Sequence, residues 1–228
     1  AIISNKADLD KAAMGAMRSA FGLQGQKCSA LSRIYVHKDV KDEFMKKFID
    51  LTSKISVGDP TDANNYMGPV INQSAFEDYH GFVDDLRQHG DIVFGGKTLD
   101  ETGYYVAPTI ADNVPEDHKL WKQEMFLPIV MVEAFDDFET AMRKANDVEY
   151  GLTAGFFSED ESEIEWFLDH MEAGVLYVNR SGGATTSAWP GYQSFGGWKG
   201  SGSTGHNAFG PHYLQHFMRE QSRWIVEE

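Results

Sequence analysis

The chain has a single cysteine, Cys28, in the segment Gly25-Gln26-Lys27-Cys28-Ser29-Ala30. Cysteine acts as a nucleophile through its thiolate, which neighbouring cations and the N–H groups of a helix N-terminus favour. Lys27 is adjacent, and the residues after Cys28 are expected to start a short helix whose N-terminus would add to that effect. An isolated cysteine of unknown surroundings is more often an inert buried residue. With one cysteine, an intramolecular disulfide is excluded.

Other segments carry chemistry-bearing residues. Glu124 stands in Glu124-Met125-Phe126-Leu127-Pro128, where a carboxylate taken alone is usually a solvated surface group. From Ser181 to Gly205 the composition shifts to Gly, Ser, Thr and Trp, too rich in glycine for a regular element and long for an idle loop. Gly200-Ser201-Gly202-Ser203-Thr204-Gly205 fits Gly-x-Gly-x-x-Gly, but it follows no expected strand and opens no helix, so it is not read as a dinucleotide fingerprint. Gly90 to Thr98 comes within one residue of a phosphate loop, and a strand with a turn is the better reading. His212 and His216 share a helical face, but no third ligand is evident, so they read as a solvated pair and no metal site is expected. A cysteine hydrolase needs a histidine oriented on Cys28, and none of the eight histidines stands in such a motif.

These residues need elements to position them. Asp8 can cap a helix carrying Leu9, Ala13, Ala16, Met17, Ala20 and Phe21 at helical spacing, stopped by Gly22 and Gly25. A strand follows at Arg33 to His37, then a helix from about Val40 to Ile55 with Phe44, Phe48, Leu51 and Ile55 on one stripe. A helix from Ser74 to Gln88, a strand at Ile92 to Phe94, and extended segments at Tyr104 to Ile110 and Ile129 to Phe135 come next. Helices at Phe138 to Ala145 and Glu161 to Met171 alternate with strands at Leu152 to Phe157 and Val175 to Val178. This alternation predicts an α/β fold, an open, mostly parallel twisted sheet flanked by helices. Tyr213 to Val226 reads as a short helix running into an edge strand.

At 228 residues with 42% hydrophobic content the chain can bury a sizeable core. Its 20 Lys plus Arg against 35 Asp plus Glu give a net charge of −15, which repels phosphate backbones and anionic lipid. Nucleic acid and membrane partners are not expected. No stretch approaches the ~20 apolar residues of a membrane helix and the first residues do not spell a secretory leader, so a cytoplasmic location is expected.

The segment Phe21-Gly22-Leu23-Gln24-Gly25-Gln26-Lys27-Cys28-Ser29-Ala30-Leu31-Ser32-Arg33 resembles the catalytic-cysteine signature of the aldehyde dehydrogenase superfamily, in the form seen in 1-pyrroline-5-carboxylate dehydrogenases. The resemblance recurs in order along the chain. Met67 to Ile71 and Gly103 to Ile110 look like the family's connecting segments. Glu124 to Pro128 is similar to its Glu-x-Phe-Gly-Pro motif, with Leu127 at the usual glycine. Leucine does not adopt positive φ comfortably, so the turn is re-formed or the cofactor contact differs. Tyr177-Val178-Asn179-Arg180 and Ser194 to Gly202 also resemble family segments, with Ser194 where proline is usual.

The resemblance implies roles for these residues. Cys28 would be the nucleophile. Glu124 would hold the nicotinamide ribose hydroxyls and Phe126 would pack near the nicotinamide. Asn179 would bond backbone near the active site. Gly183 and Ala184 would bind the substrate's α-carboxylate through backbone N–H groups, with Ser29 adding a hydroxyl and Phe195 an apolar wall. Residues 1–211 would form the catalytic domain, and 212–228 a C-terminal oligomerisation segment whose strand, around Phe217 to Val226, joins a partner subunit. The dinucleotide-binding domain, which supplies most of the NAD or NADP site, the general-base glutamate and the oxyanion asparagine, would lie ahead of Ala1 and outside this chain. The implied reaction is oxidation of glutamate γ-semialdehyde to glutamate. An aldehyde dehydrogenase of another substrate class, or a silent fragment acting only in assembly, are the alternatives.

Overall fold

The computed structural model describes residues 1–99, 103–183, 193–202 and 207–227. Its main sheet takes strands β1 (Ile2–Ile3), β2 (Arg33–His37), β3 (Asp91–Phe94), β4 (Thr109–Asp112), β5 (Ile129–Phe135), β7 (Thr153–Phe157) and β8 (Val175–Val178), in the order β3-β4-β5-β2-β1-β7-β8. Every neighbouring pair is parallel except β3 with β4, at the edge. A separate two-stranded ribbon joins β6 (Tyr150–Gly151) to β9 (Trp198–Lys199).

Side chains alternate across the sheet with the strand period of two. Ile3, Ile34, Val36, Val130, Val132 and Phe157 point into one core, which helices α1 (Leu9–Phe21) and α2 (Lys41–Ser53) close with Phe21, Phe44 and Phe48. Ile2, Tyr35, Ile129, Met131 and Phe156 point to the other face, covered by α3 (Gln73–His89), α4 (Phe138–Asn146) and α5 (Glu161–His170). Consecutive residues serve opposite cores, so these strands read as continuous apolar runs. Phe48 is fully buried and stacks on Phe44 at 5.4 Å and Phe21 at 6.0 Å between ring centroids.

The helices start where acceptor side chains can meet their first N–H groups. Asp8 accepts from Asp10 and Lys11, Asn72 from Ala75, Asp137 from Thr140, and Asp160 from Ser162 and Glu163. The sequence expectation for α1 to α5 therefore holds within one or two residues at each end.

One expectation is corrected, at the cysteine loop. No helix follows Cys28: the Ala30 N–H closes a turn on Lys27 O (3.0 Å) and Leu31 N–H donates to Ser19 O (3.1 Å), so the chain turns back along α1 and enters β2. The segment from Tyr104 to Ile110 is extended as expected: Leu99 and Ala107 N–H groups pair it with the preceding strip at Tyr105 O and Lys97 O, and it joins the main sheet from Thr109. At the C-terminus a 3-10 turn spans Tyr213–Phe217, and residues 218–227 form no ladder within the described chain.

Candidate active site

The amino-terminal ends of the central strands surround a cavity of about 330 Å³. Cys28, Ala30 and Arg33 line it from the approach to β2, Trp121 to Glu124 from the approach to β5, and Leu152 and Thr153 from the start of β7. Open α/β sheets usually hold ligands at the carboxyl ends of their strands. Here α1 carries the chain back across the sheet and delivers Cys28 to the opposite edge.

Cys28 is exposed. Its own N–H meets no backbone acceptor among the described residues, so it can donate to a group that approaches the sulfur. Lys27 is half-buried, and burial pushes its ammonium pKa down while the charge of Cys28 opposes that shift. Space for the Lys27 ammonium comes from Gly22, where a Cβ would sit 3.4 Å from Nζ.

The loop holding Cys28 is fixed by left-handed backbone and two glutamines. Leu23, Gln24 and Gly25 all have positive φ (54°, 57° and 67°). A Cβ on Gly25 would lie 2.3 Å from Leu127 O, so glycine lets the cysteine loop touch the backbone of the Glu124 to Pro128 loop. Gln24 Nε2 donates to Pro69 O (3.1 Å), and Gln26 Oε1 accepts from Ile71 N (3.0 Å). The second loop re-forms its turn one residue early: Phe126, not Leu127, takes the left-handed conformation (φ 54°), and Leu127 is buried. That resolves the leucine-for-glycine departure without strain at Leu127.

The expected residues are brought together in part. Cys28 and Glu124 share the cavity, and Glu124 has no ion-pair partner among the described residues. Phe126 stands 44% exposed at the outer side of the same loop and is not part of the lining. Ser29 is buried. Phe195 is half-buried, and its N–H donates to Ala208 O (2.8 Å). Gly183 N–H reaches Arg180 O at 3.4 Å, and Ala184 lies outside the described residues. Asn179 bonds backbone as expected, accepting from Ser158 N (3.1 Å) and donating to Ser158 O (2.7 Å), but at the carboxyl ends of β7 and β8.

The glycine-rich loop contributes Gly200 and Ser201 to the cavity, and Ser201 Oγ accepts from Gly151 N (3.0 Å). Its Gly-x-Gly-x-x-Gly follows the two-residue strand β9, contrary to the sequence expectation of no strand, while 203–206 lie outside the described residues. After β3, Gly95 and Gly96 take positive φ, and a Cβ on Gly95 would lie 2.0 Å from Pro108 O. No helix follows them among the described residues, and the phosphate-loop likeness is only a turn. His212 and His216 are both exposed at the 3-10 turn.

Sequence reading missed two groups. Arg33 and Lys122 add cationic side chains to the cavity. Away from it, Asp85, His89 and His118 converge on one spot, a meeting that no local spacing announces.

The chain belongs to the aldehyde dehydrogenase family, whose model matches residues 1–222. It is 40% identical over 217 residues to 1-pyrroline-5-carboxylate dehydrogenase of Oceanobacillus iheyensis, covering 95% of this chain and 41% of the relative. Its fold matches the NAD-bound crystal structure of 1-pyrroline-5-carboxylate dehydrogenase from Thermus with a TM-score of 0.88 at 35% identity, over 95% of this chain and 41% of that one. Proline utilization A from Bdellovibrio bacteriovorus matches with a TM-score of 0.90 at 37% identity, over 96% of this chain and 22% of that one. The chain thus spans about two fifths of the length of the curated relatives it matches. No described helix is long and apolar enough to cross a membrane.

Proposed function

We propose that this chain is the catalytic part of a 1-pyrroline-5-carboxylate dehydrogenase, oxidising glutamate γ-semialdehyde to glutamate in proline degradation, in the cytoplasm. The observation that carries the reading is the shared cavity of Cys28 and Glu124 in a chain of this family. The catalytic domain is residues 1–211, and 212–228 is the oligomerisation segment.

Cys28 attacks the aldehyde carbon as the thiolate, and the carbonyl oxygen becomes an oxyanion that the Cys28 N–H meets. Collapse of this thiohemiacetal expels hydride and leaves a thioester on Cys28. Water then attacks the thioester carbonyl, the Cys28 sulfur leaves, and the acid is released. The cofactor, NAD or NADP, supplies the hydride acceptor. A carboxylate free of ion pairs at the cavity rim suits two vicinal ribose hydroxyls, so Glu124 would hold the ribose, with Phe126 beside the nicotinamide. A longer protein would contribute most of the cofactor site, so calorimetry should show this chain alone binding NAD no more tightly than the millimolar range.

We assign the substrate's α-carboxylate to the backbone N–H groups of Gly183 and Ala184, small residues that a ligand can approach closely, with the Gly183 N–H exchanging its long 3.4 Å bond to Arg180 O for the carboxylate. Ser29 and Phe195 complete that end. In a complete enzyme carrying this domain, Ala184→Asp should depress kcat/KM for glutamate semialdehyde at least about tenfold more than for a simple aliphatic aldehyde. Equal losses on both substrates would remove the anchor assignment and leave a general aldehyde dehydrogenase.

A further inference from the structure

The last turn of α3 and the 3-10 turn at Lys119–Trp121 bring together one carboxylate and two imidazoles. Asp85 and His89 stand one helical turn apart on the same face of α3, and His118, 33 residues from Asp85, caps the 3-10 turn. One donor atom from each lies within 4.8 Å of the other two. Asp85 Oδ1 is 2.9 Å from His89 Nδ1 and 3.3 Å from His118 Nε2. A tetrahedral zinc ion with bonds of about 2.0–2.2 Å to nitrogen and oxygen spaces its ligand atoms roughly 3.3 Å apart, so two of the three edges are nearly set.

We infer that Asp85, His89 and His118 form a binding site for a divalent transition metal of the zinc type, with water as the fourth ligand. Imidazole nitrogen with carboxylate oxygen is a donor set that suits zinc, not calcium or magnesium. The surroundings fit entry from solvent: the side chains of Asp85 and His118 are 17% and 9% exposed and held by packing, while that of His89 is 48% exposed. Binding requires both imidazoles to present lone pairs in place of hydrogen bonds to Asp85. Each ring proton then sits on the opposite nitrogen, and His118 gives up the long 3.4 Å bond from Leu120 N–H. Lys119 Nζ, 2.7 Å from Asp85 Oδ2, leaves Oδ1 to the metal, but its charge opposes a dication. The bound ion would clamp α3 to the segment that leads through Trp121 to Glu124 and the cavity wall.

Zinc chloride titrated by calorimetry at near-neutral pH into the full 228-residue chain carrying Cys28→Ser, which removes the competing thiol, tests this. A one-to-one isotherm in the micromolar range is expected. His89→Ala and His118→Ala should each weaken it at least about tenfold, with circular dichroism verifying that both variants are folded. Lys119→Met should tighten binding severalfold, and His212→Ala with His216→Ala should leave it unchanged. Absence of saturable heat up to about 1 mM zinc, or an isotherm that survives in folded His118→Ala, would overturn the assignment.

Discussion

At Gly25 two requirements fall on one residue: a positive φ of 67° and a Leu127 carbonyl only 2.3 Å from where a Cβ would stand. The contact joins the loop of Cys28 to that of Glu124, so Gly25→Ala should both strain the backbone and separate the two loops. A loss of about 2 kcal/mol or more in urea unfolding is expected. Gly81, in the middle of α3, meets nothing within 4 Å of a Cβ, and Gly81→Ala should instead stabilise by about 0.5–1 kcal/mol. Similar losses at both positions would show that the close approach at Gly25 does not matter. Residues of this kind mark what a sequence can convey. Cys28 and Glu124 stand out as candidates in their motifs and share one cavity, and glycine at 25 signals a special backbone. The left-handed Phe126 is not legible, since nothing in a phenylalanine announces positive φ, and the convergence of Asp85, His89 and His118 depends on how α3 docks.

At the level of elements, the carboxyl ends of β1 and β7 are tied by Glu163 of α5. Its Oε2 accepts from Ser4 Oγ and Ser158 Oγ, both at 2.6 Å, and its Oε1 is 3.0 Å from Lys6 Nζ. Burial pushes this carboxyl up, but the bonds from Ser158, Ser4 and Lys6 outweigh it and hold the pKa below its ordinary 4.5. The folded form therefore binds the proton less tightly than the unfolded chain. The resulting stabilisation is complete above the ordinary value and is lost as pH falls through the lowered one. Glu163→Gln should cost about 1–3 kcal/mol at neutral pH and flatten the fall in stability below about pH 4.5, read from urea midpoints across that range. An unchanged acid limb would show that other carboxylates govern it. The helices and central strands were legible because caps such as Asp8 and Asp160 and apolar runs such as Ile129 to Val132 are local signals. The turn after Cys28 was not, because it is imposed by the bond from Leu31 back to Ser19 on α1.

For the molecule as a whole, large apolar side chains such as Leu23, Ile71 and Trp198 reach solvent at scattered positions, but the C-terminus gathers a run of them: Leu214, Phe217, Met218, Trp224, Ile225 and Val226 are all exposed, Trp224 by 91%. An exposed run of this kind is a liability unless another surface covers it. If the segment adds as a strand to a partner subunit, as proposed, sedimentation velocity should find the chain self-associated, and Trp224→Glu should shift it towards monomer. Monomers in both cases would remove the oligomerisation role. The central claim, however, rests on Cys28 as the atom that takes the aldehyde. Its most direct test is NADH formation from glutamate γ-semialdehyde by a complete enzyme carrying this domain, compared with its Cys28→Ser variant. The expected result is turnover that falls on the order of 10³-fold or more in the variant, with the fold intact by circular dichroism. Turnover that persists in Cys28→Ser, or an intact enzyme that oxidises no aldehyde, would contradict it.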